Sequence, residues 1–192
     1  KLNYAENLLK RNDAAPALIF WGEDKVKTTT SWHELNARVA QTHHALAKAG
    51  IKAGDRVCAV VPNHPETIVA FLAVASLGAI WSSCSPDFGE RGILDRFDQI
   101  EPKLMFTCDA YFYGGKTHGL AEKIAKVLEQ LPSVEQTVII DYTGQAAAMA
   151  AQLPHAHSLE EFRSGETATP IEFAQMPFDH PLYILYSSGT TG

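Results

Sequence analysis

Arg56–Trp81 reads "RVCAVVPNHPETIVAFLAVASLGAIW". After Arg56 the run to Val61 is apolar and closes on Pro62, which suits a short buried strand. Asn63 is placed to cap the next element. Pro65 sits early in it, where a missing N–H costs nothing. Ile68, Phe71, Leu72 and Ala75 recur at i, i+3, i+4 and i+7, a helical stripe, and Gly78 can end it. Ala79–Trp81 begins a second strand. A strand, a helix and a strand, with apolar strands throughout, is the unit of a parallel sheet.

The same alternation extends in both directions. Upstream, Ser31 and Glu34 have capping-box spacing, and Leu35, Val39, Thr42, Leu46 and Ala49 follow as one helical stripe. Gly50 can stop that helix in the left-handed conformation. Before it, Asn3–Lys10 predicts a short helix. Ala17–Trp21 and Val26–Thr30 predict a hairpin around Gly22–Asp24. Downstream, Ile93, Leu94, Phe97 and Ile100 mark a helix that stops at Glu101-Pro102. Lys103–Thr107 is a strand. Leu120, Ile124, Val127, Leu128 and Leu131 mark a helix with a Glu122–Lys126 pair, and Thr137–Asp141 is a strand. An alanine-rich helix follows near Gln145–Gln152, then a second capping box at Ser158 and Glu161. A proline-punctuated approach leads to a last strand, Leu182–Tyr186. The expected fold class is α/β, a largely parallel sheet with flanking helices.

The formal charge of −6, from 16 basic and 22 acidic residues, argues against a general nucleic-acid or anionic-membrane binder. A hydrophobic content of 46% suits a soluble globular protein with a cytoplasmic setting. Cys58, Cys84 and Cys108 are widely spaced and form no CxxC pair, so they predict reduced thiols rather than a zinc site or disulfides. No apolar run reaches the ~18 residues of a membrane span. The chain opens on Lys1 rather than Met and predicts a longer parent. No motif assigns an oligomeric state.

The string after the last strand, Ser187-Ser-Gly-Thr-Thr-Gly192, carries the chemistry. It sits beyond the carboxyl end of a strand, where open parallel sheets bind ligands. Gly189 and Gly192 let backbone N–H groups approach an anion. Ser187, Ser188, Thr190 and Thr191 add hydroxyl donors. Such a loop suits a di- or triphosphate. The plainer reading is a polar turn, but six small residues directly after an apolar strand favour phosphate. Gly115-Lys116-Thr117 imitates the end of a Walker A loop. The glycine that pattern requires five positions earlier is Ala110, and Tyr111, Phe112 and Tyr113 fill the loop's place. A turn with an exposed lysine is expected there.

Tyr186–Gly192, "YSSGTTG", resembles the signature loop of the adenylate-forming enzymes, the superfamily of acyl-CoA synthetases, luciferases and peptide-synthetase adenylation domains. Ser31–Trp81, with "GIKAGDRV" and "PNHPE", is similar to that family's opening helix–strand–helix. "LNYAENLL" (Leu2–Leu9), "WSSCSPDFG" (Trp81–Gly89) and "ILDRFDQIEPKLMF" (Ile93–Phe106) resemble the branch that activates acetoacetate.

The resemblance implies that residues 1–192 are an incomplete N-terminal portion of the large AMP-binding domain. It implies a ligase using ATP, Mg²⁺ and coenzyme A. The acid attacks the α-phosphate to give an acyl-adenylate and pyrophosphate, and the coenzyme A thiol then displaces AMP. Ser187, Ser188, Gly189, Thr190, Thr191 and Gly192 would hold the outer phosphates. No catalytic residue falls within these residues. The adenine site, the acid pocket and a C-terminal lysine would lie further along, so the piece alone is expected to be inactive. A coenzyme A contact is implied near Ser85–Phe88 and Tyr113–Lys116. Lys116 is its candidate cation, with a solvated surface lysine as the alternative. Pro86 and Asp87 replace glycines there. Two alternatives stand beside this: acetate or propionate as the acid, and a non-catalytic α/β binding module whose last loop is only a turn.

Other residues are expected to be structural. His43 and His44 point apart on a helix and are expected to be exposed. His155 and His157 form a weak metal pair in a loop. Arg91, Asp95, Arg96 and Asp98 form a solvated charged face. Trp81 is expected in the core.

Overall fold

A computed structural model of the chain describes residues 1–187. Its first elements are α1 (Tyr4–Leu8), β1 (Pro16–Gly22), β2 (Val26–Ser31), α2 (Trp32–Lys48), β3 (Arg56–Val60), α3 (Pro65–Ser76) and β4 (Ile80–Cys84). Then come α4 (Glu90–Phe97), a 3-10 turn (Asp98–Ile100), β5 (Leu104–Cys108), β6 (Ala110–Tyr113), β7 (Lys116–Gly119) and α5 (Ala121–Glu129). β8 (Gln136–Ile140), α6 (Ala146–Ala150), β9 (Ala156–Ser158) and α7 (Leu159–Phe162) follow.

The apolar strands assemble as expected into one sheet of five strands, in the order β4-β3-β5-β8-β9, and every pairing in it is parallel. All five residues of β5 are buried, as a central strand covered on both faces must be. The chain steps from β3 outward to β4, then crosses back to β5 and continues to β8 and β9. With right-handed crossovers that reversal places α3 on one face and α4 and α5 on the other. The packing agrees: α2 and α1 lie against α3, and α4 lies against α5.

Local signals set most boundaries. The capping box forms: the Ser31 hydroxyl accepts from the Glu34 N–H at 3.2 Å, and Glu34 accepts from the Ser31 N–H at 2.8 Å. Gly50 and Gly78 end α2 and α3 at φ of +83° and +71°. A side chain at Gly78 would be strained by the positive φ, and its Cβ would come 2.8 Å from Met176 Sδ, so Met176 would have to shift. Trp81 is buried against Phe106, as expected for a core residue.

Three expectations are corrected. The α3 cap is His64, not Asn63; its Nδ1 accepts from the Glu66 N–H at 3.2 Å. The helix expected to run to Ile100 ends at Phe97 and tightens into the 3-10 turn, which Glu101 stops in the left-handed region at φ +45°. Leu182–Tyr186 is not a regular strand. It makes one parallel bridge, Trp81 with Tyr183, and Leu185 is 73% exposed. An apolar run there advertises a surface that needs covering, not one already buried.

Candidate functional site

The reversal of strand order puts a crevice at the carboxyl ends of β3 and β5, the usual ligand position in such a sheet. Here the chain's own residues fill it. Asp109, just past β5, is 4% exposed and accepts hydrogen bonds from the Ala110, Tyr142, Thr143 and Gln145 N–H groups and from the Thr143 hydroxyl. Burial alone would raise its pKa. The N–H groups of Gln145, Tyr142 and Thr143 outweigh burial and hold the carboxyl below its ordinary value. Beside it the Tyr142 ring meets His64 (4.9 Å), Phe112 (5.0 Å) and Phe20 (5.9 Å). Burial pushes the His64 pKa down. The sequence reading missed this cluster. A lone Asp after a strand carries no pattern, and apart from the adjacent Ala110 N–H its partners lie more than thirty residues away.

The open position is at the outer edge, beyond β4. Leu182–Ser187 runs along that edge. The Trp81 N–H donates to the Leu182 carbonyl (3.1 Å), the Ile184 N–H to the Trp81 carbonyl (2.8 Å), and the Ser82 hydroxyl to the Ile184 carbonyl (3.0 Å). The segment is parallel to β4 and therefore leaves at the carboxyl end of the sheet. Ser187, the first residue of the expected phosphate loop, is described there and exposed. Ser188, Gly189, Thr190, Thr191 and Gly192 lie outside the described residues.

Tyr186 anchors the exit. Its hydroxyl donates to the Arg96 carbonyl at 2.6 Å, and burial raises its pKa. Arg96 was expected on a solvated charged face. It is instead half-buried, with its guanidinium 4.1 Å from the Phe88 ring and 5.7 Å from the Tyr186 ring. Arg91 and Asp95 do form the exposed pair expected of that face, at 3.9 Å.

Ser85–Phe88 follows β4. The Ser85 hydroxyl donates to Asp87 at 3.0 Å, and the half-buried Lys123 ammonium donates to the Pro86 carbonyl at 2.6 Å. Burial first, and then Asp87 beside it, push the Tyr111 hydroxyl up to about 12. Lys116 opens β7 on an antiparallel hairpin. The turn of that hairpin, Gly114-Gly115, has φ of +59° and +74°. Lys116 is exposed, and the neighbouring Gly115 N–H donates to Glu23 at 3.1 Å. Tyr111–Tyr113 form a strand, so the expected turn replaces any Walker A loop.

The remaining candidates sort plainly. His43 is buried, contrary to expectation, because α3 crosses α2 and brings the Ser76 hydroxyl 2.7 Å from its Nδ1. His155 sits in a loop as expected, but His157 does not: it lies in β9, paired with Val138 of β8, with its Nδ1 3.3 Å from Glu161. Among the described residues no group of three or more His, Cys, Asp or Glu could hold a metal ion. All three cysteines are buried and free, and burial pushes their thiols up. No described helix is long and apolar enough to cross a membrane.

The model of the AMP-binding enzyme family matches residues 5–192. The chain is 53% identical over 192 residues to the acetoacetyl-coenzyme A synthetase of Rhizobium meliloti (strain 1021), covering 100% of this chain and 29% of that one. It is 44% identical over 199 residues to the acetoacetyl-CoA synthetase of Gallus gallus, covering 100% of this chain and 30% of the relative. The structure of acetoacetyl-CoA synthetase from Streptomyces lividans superposes with a TM-score of 0.90 at 40% identity, over 100% of this chain and 29% of that one. The chain thus spans less than a third of the length of these relatives. The parallel sheet, the edge segment leading into the hydroxyl-rich string and the family match agree, and the chain belongs to the AMP-binding enzyme family.

Proposed function

We propose that residues 1–192 are the leading part of the AMP-binding domain of an ATP-dependent acid–CoA ligase whose acid is acetoacetate. The observation that carries this reading is the identity of 53% across the entire chain with an acetoacetyl-coenzyme A synthetase. The edge segment supports it. A loop leaving the carboxyl end of β4 is where a parallel sheet can offer backbone N–H groups to an anion.

In this reading a carboxylate oxygen attacks the α-phosphate, and negative charge builds on the departing pyrophosphate. Ser187, Ser188, Thr190 and Thr191 donate hydroxyl hydrogen bonds to the outer phosphates, and Gly189 and Gly192 allow close backbone approach. The loop carries no charge of its own, so catalysis there is dispersal of charge by many oriented dipoles. Mg²⁺ would share that task on the polyphosphate. The described residues offer it no carboxylate cluster. The coenzyme A thiol then attacks the acyl carbonyl of the adenylate; a C–S bond forms, the bond to the phosphate oxygen breaks, and AMP leaves. Lys116, exposed at the tip of its hairpin, can meet a phosphate of coenzyme A as a point charge. Cytoplasmic location accompanies this reading, in keeping with three free thiols.

The test is ATP–pyrophosphate exchange by the full-length protein with acetoacetate, acetate and propionate in turn. Exchange is expected with acetoacetate. Exchange with acetate but none with acetoacetate overturns the acid assignment. Silence with every acid favours a non-catalytic binding module.

A further inference from the structure

We propose that Arg96 is a positioning residue for adenylation, tethering α4 to Tyr186 and so fixing the direction in which the polyphosphate loop leaves the sheet. The inference rests on the acid–CoA ligase reading above and deepens it.

Tyr186 is the residue immediately before Ser187. The backbone bonds that hold the edge segment to β4 involve Leu182 and Ile184, and the Ser82 hydroxyl adds one more to Ile184. Past that point the segment is secured by Tyr186 through its hydroxyl, bonded to the Arg96 carbonyl at 2.6 Å. The same residue supplies a second hold, because its guanidinium lies near the Tyr186 ring, 5.7 Å from the centroid. Arg96 is itself fixed. It donates to the Gly92 carbonyl at 2.6 Å and lies 4.1 Å from the Phe88 ring.

Gly92 makes that arrangement possible. A Cβ there would come 3.2 Å from Phe88 and 3.7 Å from the Arg96 guanidinium. Phe88 belongs to the Ser85–Phe88 loop, so one cation joins the loop after β4, the helix α4 and the entrance to the phosphate-binding string. An arginine that neutralises no described acid, and instead braces a tyrosine between a ring and a helix, is placed for geometry rather than for charge pairing.

The consequence is selective. Adenylation needs the polyphosphate held in line. Thioester formation from a preformed acyl-adenylate needs no pyrophosphate site. In the full-length protein, Arg96→Lys and Tyr186→Phe are therefore expected to lower kcat/KM for ATP in pyrophosphate exchange about tenfold, with KM for the acid within about twofold. Thioester formation from a synthetic acyl-adenylate and coenzyme A stays at the wild-type rate in Tyr186→Phe, which leaves the Arg96 contact with Phe88 in place. Arg96→Ala loses more kcat/KM for ATP, and Arg96→Lys retains part of it by keeping the stem and the charge.

Equal loss of both half-reactions in Tyr186→Phe overturns the proposal and leaves Arg96 a structural residue. So does an unchanged kcat/KM for ATP. Wild-type protein silent in exchange with every acid overturns the ligase reading itself, and the tether with it.

Discussion

The His43 Nδ1 lies 2.7 Å from the Ser76 Oγ in the buried seam between α2 and α3. The Ser76 hydroxyl donates its proton to the Ala73 carbonyl at 2.6 Å, so the imidazole Nδ1 is the donor toward Ser76, and burial favours the neutral ring. Burial first, and then the adjacent His44, push the His43 pKa from 6.5 down to about 4. The unfolded chain takes up a proton on this ring as pH falls below 6.5, while the native state refuses it until about 4. Stability is therefore lost as pH falls through that window, by up to about 1.4 kcal/mol per pH unit from this group. His43→Gln keeps a donor for Ser76 but cannot titrate. Urea unfolding at pH 7 and pH 5 should show a smaller drop for the variant than for the wild type. His64, also lowered, contributes equally to both. Equal drops would refute the assignment.

Much of the fold is legible in residues a few positions apart. Ser31 with Glu34, Gly50 and Gly78 act within one helical turn and do what their spacing announces, while of the box expected at Ser158 and Glu161 only the Ser158 cap forms, the Glu161 carboxylate lying against His157 instead. What the sequence hides is set by residues far away. His43 reads as a surface residue until Ser76 arrives from the next helix. Arg96 reads as part of a charged face until Phe88 and Tyr186 turn toward it. Leu182–Tyr186 reads as a buried strand because apolar content reports a need for cover, not whether the cover is present. Of the candidate site, Lys116 is exposed, as its turn reading expected, Ser187 is exposed too, and Ser188–Gly192 lie outside the described residues.

Asp109 organises the loop after β8, so removing one of its oxygens should unfasten that loop. Asp109→Asn keeps the volume but turns one acceptor into a donor facing N–H groups. A loss of about 2–4 kcal/mol in chemical denaturation is expected, from unsatisfied buried donors. The native carboxyl titrates below its ordinary 3.8, so its contribution is present above that pH and fades as the pH drops toward the native pKa. The variant should lack this acid-side loss. A cost under about 0.5 kcal/mol, the range of an ordinary surface change, would show that the loop holds itself.

Gly22 ends β1 where Tyr142 presses against it. A Cβ at this position would fall 2.1 Å from the Tyr142 hydroxyl and 3.1 Å from the Phe20 ring. Tyr142 cannot swing away freely, since His64, Phe20 and Phe112 surround its ring. Gly22→Ala should cost about 1–3 kcal/mol by overpacking. Adding Tyr142→Phe removes the offending oxygen and should recover part of the loss. Thermal melts of the two single variants and the double variant give the coupling. Strict additivity would mean that the hydroxyl is not the obstacle.

Glu66 joins three helices through two arginines. One oxygen meets Arg38 at 3.1 Å and the other meets Arg163, whose Nε also donates to the Thr42 hydroxyl at 2.8 Å. The side chains of Glu66 and Arg163 are 14% and 15% exposed, while that of Arg38 is 37% exposed. The Arg163 contact is therefore the desolvated one. Glu66→Gln leaves a buried guanidinium without its counter-charge and should cost about 3 kcal/mol or more. Arg38→Ala removes only the more exposed partner, and about 1 kcal/mol is expected. The ranking is the sharper part, because it follows from burial alone. Guanidinium chloride would screen the pairs, so urea titrations at low ionic strength are the appropriate measurement. If Arg38→Ala proves as costly as Glu66→Gln, the network is held by its outer pair, and α7 is not pinned through Arg163.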